Sequence, residues 1–103
     1  MKATRNMRND WVVRSDIEFG ENRIIRVTTC KTSSGALTTN ASVQTIEPNG
    51  FMSHMMFQDF SKTIKATRVR ATQAAVEAQH QEVMDMKDQI IARATEFYAT
   101  AEA

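Results

Sequence analysis

Apolar and polar residues alternate along residues 11–46, in three segments that are separated by short loops. In the first segment, Trp11, Val13, Ile17 and Phe19 fall on one face, at odd positions. Residues 23–31 are rich in β-branched side chains, and residues 36–46 again place apolar side chains at odd positions. A period of two is typical of strands that bury one face and leave the other in water. The pattern therefore predicts three β-strands.

The loops between these segments determine how the predicted strands pair. A three-residue loop at residues 33–35 sets Ile25 opposite Val43 and keeps the apolar side chains of both strands on one face. It also places Gly35 at the left-handed backbone position that such loops need. The same parity rule predicts a loop at residues 20–22 in which Asn22 adopts a positive φ. We therefore predict a three-stranded antiparallel β-meander over residues 11–47.

The chain changes character after the turn signal at residues 48–50, Pro-Asn-Gly. Residues 51–103 contain no proline and no glycine and are rich in alanine, a composition that favours helix. We predict a long C-terminal α-helix within this region, which is either continuous or broken near residues 60–63 or 79–82. The expected fold class is α+β, in a single domain of residues 1–103 that starts with a basic N-terminal arm at residues 1–10.

A second apolar stripe lies in the last third of the chain, where Val83, Ile90 and Phe97 recur every seven residues. Forty helical residues extend about 60 Å, twice the roughly 30 Å of a nine-residue strand. Either the chain bends near residues 79–82 and folds back onto its own core, or one long helix forms a coiled coil with a second chain. The second interpretation predicts a homodimer or higher oligomer, with an interface formed by Val83, Ile90, Ile91, Phe97 and Tyr98.

Two further groups of residues are candidates for contact with other partners. The methionines Met52, Met55 and Met56 form a candidate protein-binding patch, because flexible thioether side chains adapt to different surfaces. A candidate nucleic-acid surface combines the polar face of the sheet with a basic stripe on the helix, and its residues are Arg14, Arg26, Lys62, Lys65 and Arg68. Strands can read a DNA groove, although Asp16 is expected to face Arg26 and to neutralise part of this surface.

The inventory of reactive side chains indicates no catalytic site. Neither His54 nor His80 has a nucleophile and an orienting acid at a recognisable spacing. A single cysteine, Cys30, excludes an intrachain disulfide and a cysteine-rich zinc site. We predict that the chain is not an enzyme and has no cofactor.

Glu77 and His80 form a Glu-x-x-His motif, which carboxylate-bridged di-metal bundles also use. Such a bundle needs further inward-facing carboxylates, and no other helix of this sequence supplies them. We therefore predict no metal site, and we expect Glu77 and His80 to be an exposed pair on the helix surface.

The net charge is close to neutral, with 13 basic and 12 acidic side chains. No apolar run reaches the roughly 20 residues of a membrane span, so we expect a cytoplasmic protein without a membrane partner. The sequence predicts a small non-catalytic, homo-oligomeric protein-binding module, a regulator or inhibitor of the phage or mobile-element type. Its expected partners are itself and an unidentified protein. The alternative is a DNA-binding regulator that uses the basic stripe and the polar sheet face.

Overall fold

The computed structural model describes residues 2–46, 52–53 and 61–102. Six antiparallel strands form one sheet: β1 (Thr4–Arg5), β2 (Trp11–Glu18), β3 (Arg23–Lys31), β4 (Leu37–Ile46), β5 (Met52–Ser53) and β6 (Ser61–Thr67). Two helices follow the strands: α1 (Gln73–Met84) and α2 (Lys87–Glu102). The α+β class is confirmed, with more strands and one more helix than the sequence pattern predicted.

The predicted three-stranded meander forms the middle of the sheet as β2-β3-β4, and the short strand β1 pairs with the outer edge of β2. Both β5 and β6 pair with the remaining edge of β4, β5 beside Thr45 and Ile46 and β6 beside residues 37–42. The sheet is therefore five strands wide. The β6 strand is irregular opposite Thr39 and Asn40, where a bulge changes the register.

The predicted register of the meander is confirmed. Ile25 lies opposite Val43 in β4 and opposite Ile17 in β2. Gly35 has a φ of 89° and Asn22 a φ of 59°, the left-handed conformations that the two loops require. The alternation of apolar residues was sufficient to predict the register, because a shift by one residue would move every apolar side chain to the opposite face.

The prediction of continuous helix after residue 60 is wrong. Residues 61–67 form β6, and helix begins only at Gln73, after Thr72, whose side chain accepts a hydrogen bond from the Ala75 amide at 3.2 Å. Neither predicted break is observed, because residues 61–63 belong to β6 and α1 runs through residues 79–82. The chain turns instead between α1 and α2, at residues 85–86.

The two helices cover the inner face of the sheet and complete its core. The larger core cluster contains Phe19, Ile25, Val27, Ala41, Val43, Val83, Ile90 and Ala94. A smaller cluster at the other end contains Ala3, Val13, Leu37 and Val76. Among the described residues, no helix is long and apolar enough to cross a membrane.

The second apolar stripe folds back onto the core of its own chain, although the turn lies at residues 85–86 and not near residues 79–82. Val83 is 0% exposed and Ile90 is 1% exposed, both within that core. The oligomer interface assigned to these residues stays a prediction. Ile91, Phe97 and Tyr98 are partly buried against the same cluster.

Candidate functional site

Polar side chains collect on the face of the sheet that lies opposite α1 and α2, which we call the outer face. Side chains alternate along a strand, and the odd-numbered residues of β2, β3 and β4 fill the core. The even-numbered residues therefore point outward, and the polar ones among them are Arg14, Asp16, Glu18, Arg26, Thr28, Cys30, Thr38, Asn40, Ser42 and Gln44. This face is the first candidate site.

The outer face contains two adjoining depressions that share Arg26 and Thr28. One has a volume of about 560 Å³ and extends across β4 to Ser61, Lys62 and Thr63 of β6. The other has a volume of about 540 Å³ and extends across β2 to Arg14 and the N-terminal residues Lys2, Thr4 and Asn6. Together they form a shallow path that crosses the strands from one edge of the sheet to the other.

Charge on the outer face is partly compensated within the face. The Arg26 Nε atom donates to Asp16 Oδ1 at 3.0 Å, and its Nη2 atom donates to Oδ2 at 3.3 Å, which confirms the predicted pair. Arg14 is exposed on this face. An exposed ion pair contributes about 0–1 kcal/mol, so the role of these residues in stability is small.

The structure brings together two of the five residues predicted to contact nucleic acid, Arg14 and Arg26. Lys62 pairs with Ala41, whose side chain lies in the core, so Lys62 is on the helical side of β6. Lys65 also faces the helices, with its Nζ atom 2.6 Å from Glu82 Oε2 in α1. Arg68 is exposed in the segment after β6. The predicted helical stripe of basic residues is wrong, because Lys62 and Lys65 lie on a strand. Met52 lies in β5, and Met55 and Met56 lie outside the described residues.

A second polar cluster lies beneath α1, inside the molecule. His80 is 0% exposed, with its Nε2 atom 2.8 Å from Ser15 Oγ and its Nδ1 atom 2.9 Å from Thr29 Oγ1. Thr29 Oγ1 lies 2.7 Å from Thr39 Oγ1, and Gln79 Nε2 donates to Thr39 Oγ1 at 3.1 Å. We call these five side chains the buried polar network.

Gln79 anchors the buried polar network to β4 and β6. Its Nε2 group donates to the Leu37 carbonyl oxygen at 3.2 Å as well as to Thr39, and its Oε1 atom accepts from Thr67 Oγ1 at 2.7 Å. The hydroxyl groups of the network can each donate one hydrogen bond and accept others.

The short distance between Ser15 and His80 resembles a nucleophile and its base. The His80 ring is completely buried, however, and its other nitrogen is bonded to Thr29. The network instead fixes α1 against β2, β3 and β4.

The predicted exposed pair of Glu77 and His80 is therefore wrong. Glu77 Oε2 accepts a hydrogen bond from the Ala3 amide at 3.0 Å, while His80 is turned into the core. The sequence does contain a signal for the burial of His80, because Val76, His80 and Val83 have the i, i+4, i+7 spacing of one helix face.

Within the described residues, no group of three or more His, Cys, Asp or Glu could hold a metal ion.

Burial of the ring, together with the positive charge of the chain terminus, lowers the pKa of His80 below its ordinary value of 6.5. Below that pH the unfolded chain binds a proton at His80 that the folded chain does not bind. Stability is therefore fully present above pH 6.5 and is lost as the pH falls through the lower pKa of the folded state. We expect the free energy of unfolding, measured with urea, to decrease between pH 7.5 and pH 5.5.

The same titration in two variants checks the assignment to His80. His80→Gln should remove most of the pH dependence over this range, whereas His54→Gln should retain it. An equal decrease in stability on acidification in wild type and His80→Gln would show that another group is responsible.

The chain was also compared with models of protein families, with curated proteins and with solved structures. None of these three comparisons gives a match.

Proposed function

We propose that this chain is a small non-catalytic binding module whose outer face holds a partner. One observation carries the proposal: the helices occupy the inner face, while the outer face presents an open path that is lined by hydroxyl, amide and cationic side chains. Surfaces of this kind offer many hydrogen-bond donors and acceptors to a partner. The buried polar network supports the absence of catalysis, because His80 is completely buried and both of its ring nitrogens are hydrogen-bonded within the core.

We also propose that the chain is a regulator or inhibitor of the phage or mobile-element type. A module without catalysis can affect another molecule only by binding to it. Self-association also stays a prediction. Of its predicted interface residues, Val83 and Ile90 are buried in the core of the chain.

A capture experiment with two matched variants tests the proposed surface. The first variant, Lys2→Glu with Arg14→Glu, reverses two exposed charges that line the depression across β2 on the outer face. The second, Lys87→Glu with Arg93→Glu, makes the same change in net charge on exposed positions of α2. We expect the first variant to lose the partner that wild type retains from a cell lysate, and the second to keep it. Equal capture by both variants would exclude the outer face as the binding surface.

A further inference from the structure

We infer that the open edge of β2 pairs with β2 of a second copy of this chain, in antiparallel orientation, so that two sheets join into one. This interface lies at the edge of the sheet, outside the face proposed above, and uses none of the residues predicted for an interface on the helices. Four features of the described residues carry it: the open backbone of β2, the protection of the opposite edge, the order of charges along β2, and the position of β1.

The strand β1 covers only the start of the β2 edge. It pairs with Trp11 and Val12. Ala3, which precedes β1, is instead held to α1, where its amide donates to Glu77 at 3.0 Å. Among the described residues, no strand lies beside residues 14–18 on this side of β2. A strand that ends a sheet in this way can pair with a strand of another chain.

Three residues of β2 present backbone groups at the open edge. Backbone groups of successive residues face opposite sides of a strand, and the Phe19 amide donates to the carbonyl oxygen of Arg23 at the start of β3. The odd-numbered residues of β2 therefore bond to β3, while the amide and carbonyl groups of Arg14, Asp16 and Glu18 face outward. An antiparallel strand centred on Asp16 forms about six backbone hydrogen bonds with them.

The opposite edge of the sheet is protected against such pairing. β6 contains a bulge, and two of its side chains, Lys62 and Lys65, are charged and point to the helical side of the sheet. Bulges and inward-pointing charges are features by which edge strands avoid pairing with other chains. The inward-pointing side chains beside the open edge of β2 are Ser15 and Ile17, which carry no charge. Of these two edges, β2 is therefore the one that admits a second strand.

The order of charges along β2 is self-complementary. Arg14 is positive, whereas Asp16 and Glu18 are negative, and all three are exposed on the outer face. A two-fold axis at Asp16 sets Arg14 opposite Glu18 of the second copy, and the same pair forms again on the other side of the axis. The two Asp16 carboxylates lie opposite each other, but each accepts from Arg26 of its own chain at 3.0 Å. The strand whose charges match this edge is therefore another β2.

The position of β1 selects the register of the pairing. A shift that sets Arg14 opposite Asp16 of the second copy brings Glu18 of that copy against Val12, where β1 already lies. A shift in the other direction sets Asp16 opposite Glu18, and like charges directly opposite each other are unfavourable. The register centred on Asp16 is the one that satisfies both conditions.

Sedimentation equilibrium over a range of protein concentrations tests the pairing through an exchange of charges. Wild type should be a dimer at high concentration and dissociate on dilution. Arg14→Glu and Glu18→Arg should each raise the dissociation constant of the dimer about tenfold or more, because each sets like charges opposite each other twice. Arg14→Glu combined with Glu18→Arg restores opposite charges and should dimerise like wild type. Glu21→Arg makes the same change in charge at an exposed position of the next loop and should have no effect.

A proline tests the contribution of the backbone. The Asp16 amide faces the open edge, so Asp16→Pro removes a hydrogen bond between the copies and none to β3. We expect Asp16→Pro to be monomeric, and Asp16→Asn, which keeps the amide, to dimerise at least as well as wild type. Circular dichroism of each variant checks that the fold is retained, and the exchange of charges decides the question if Asp16→Pro does not fold.

Three outcomes would overturn the inference. They are a wild type that stays monomeric at its highest soluble concentration, a dimer that neither the single charge reversals nor Asp16→Pro weakens, and a double charge exchange that does not restore dimerisation. In the second case the copies associate through another surface.

Failure of this inference can be distinguished from failure of the proposed function. Asp16→Pro leaves Lys2 and Arg14 unchanged on the outer face, so as a monomer it should still retain the partner from a cell lysate. If wild type is monomeric but Lys2→Glu with Arg14→Glu loses the partner, only the inference is wrong. If the dimer behaves as described but capture is the same for every variant, only the proposed function is wrong.

Discussion

The Ile90→Asp variant is expected to be unfolded at room temperature. Ile90 is 1% exposed and lies in the core between α2 and the sheet. Removal of a buried isoleucine side chain costs about 2–5 kcal/mol, and an unpaired buried carboxylate adds several kcal/mol more. Native domains are stable by only about 5–15 kcal/mol. Circular dichroism should show loss of the native spectrum, and proton NMR should show loss of dispersed methyl signals.

Gln89→Asp is the matched control, because it introduces the same side chain at the neighbouring exposed position of α2. It should fold with nearly unchanged stability. If Ile90→Asp folds as well as Gln89→Asp and light scattering shows that it dissociates an oligomer, Ile90 belongs to an interface between chains and the packing described here is incorrect.

The second large effect is expected from His80→Ala. The ring is fully buried and bonded through both nitrogens, so its removal leaves a cavity and deprives Ser15 and Thr29 of a hydrogen-bond partner. Creation of such a cavity costs about 2–5 kcal/mol, and a buried polar group without a partner about 1–3 kcal/mol. We expect a total loss of about 3–8 kcal/mol in the free energy of unfolding, measured by urea denaturation.

Gln81→Ala provides the comparison for this variant, since Gln81 is exposed and directly follows His80 in α1. Its side chain donates only to Asp85, at 2.9 Å on the helix surface. Its replacement should change stability by at most about 0.5 kcal/mol. Similar losses in His80→Ala and Gln81→Ala would contradict the central position of His80 in the buried polar network.

The fold could be predicted from the sequence where the apolar residues follow one clear periodicity. In β2, β3 and β4 the alternation of apolar residues specifies the strands, and together with the loop lengths it specifies their register, because a one-residue shift would bury polar side chains. Residues 61–67 were misassigned for the opposite reason. Ile64 is the only large apolar residue in that segment, so neither period is visible, and pairing with β4 overrides the helical composition that surrounds it.

The candidate site was predictable in part for the same physical reason. Arg14 and Arg26 follow from strand parity, whereas the position of Lys62 depends on the pairing of β6 with β4, which sets Lys62 opposite the core-facing Ala41. The buried polar network escaped prediction because Gln79 and His80 are polar residues at core positions of α1. Their hydrogen-bond partners Ser15, Thr29 and Thr39 belong to strands that are distant in sequence. The pattern of neighbouring residues does not predict contacts of this kind.

The arrangement of the larger core cluster has a consequence for biosynthesis. The meander contributes four apolar residues to this cluster: Ile25, Val27, Ala41 and Val43. The helical residues that cover them, Val83, Ile90 and Ala94, are synthesised only after every strand. Contacts between segments so distant in sequence also form slowly. A nascent chain that has reached only β6 therefore presents an uncovered apolar sheet face to other nascent chains and to chaperones.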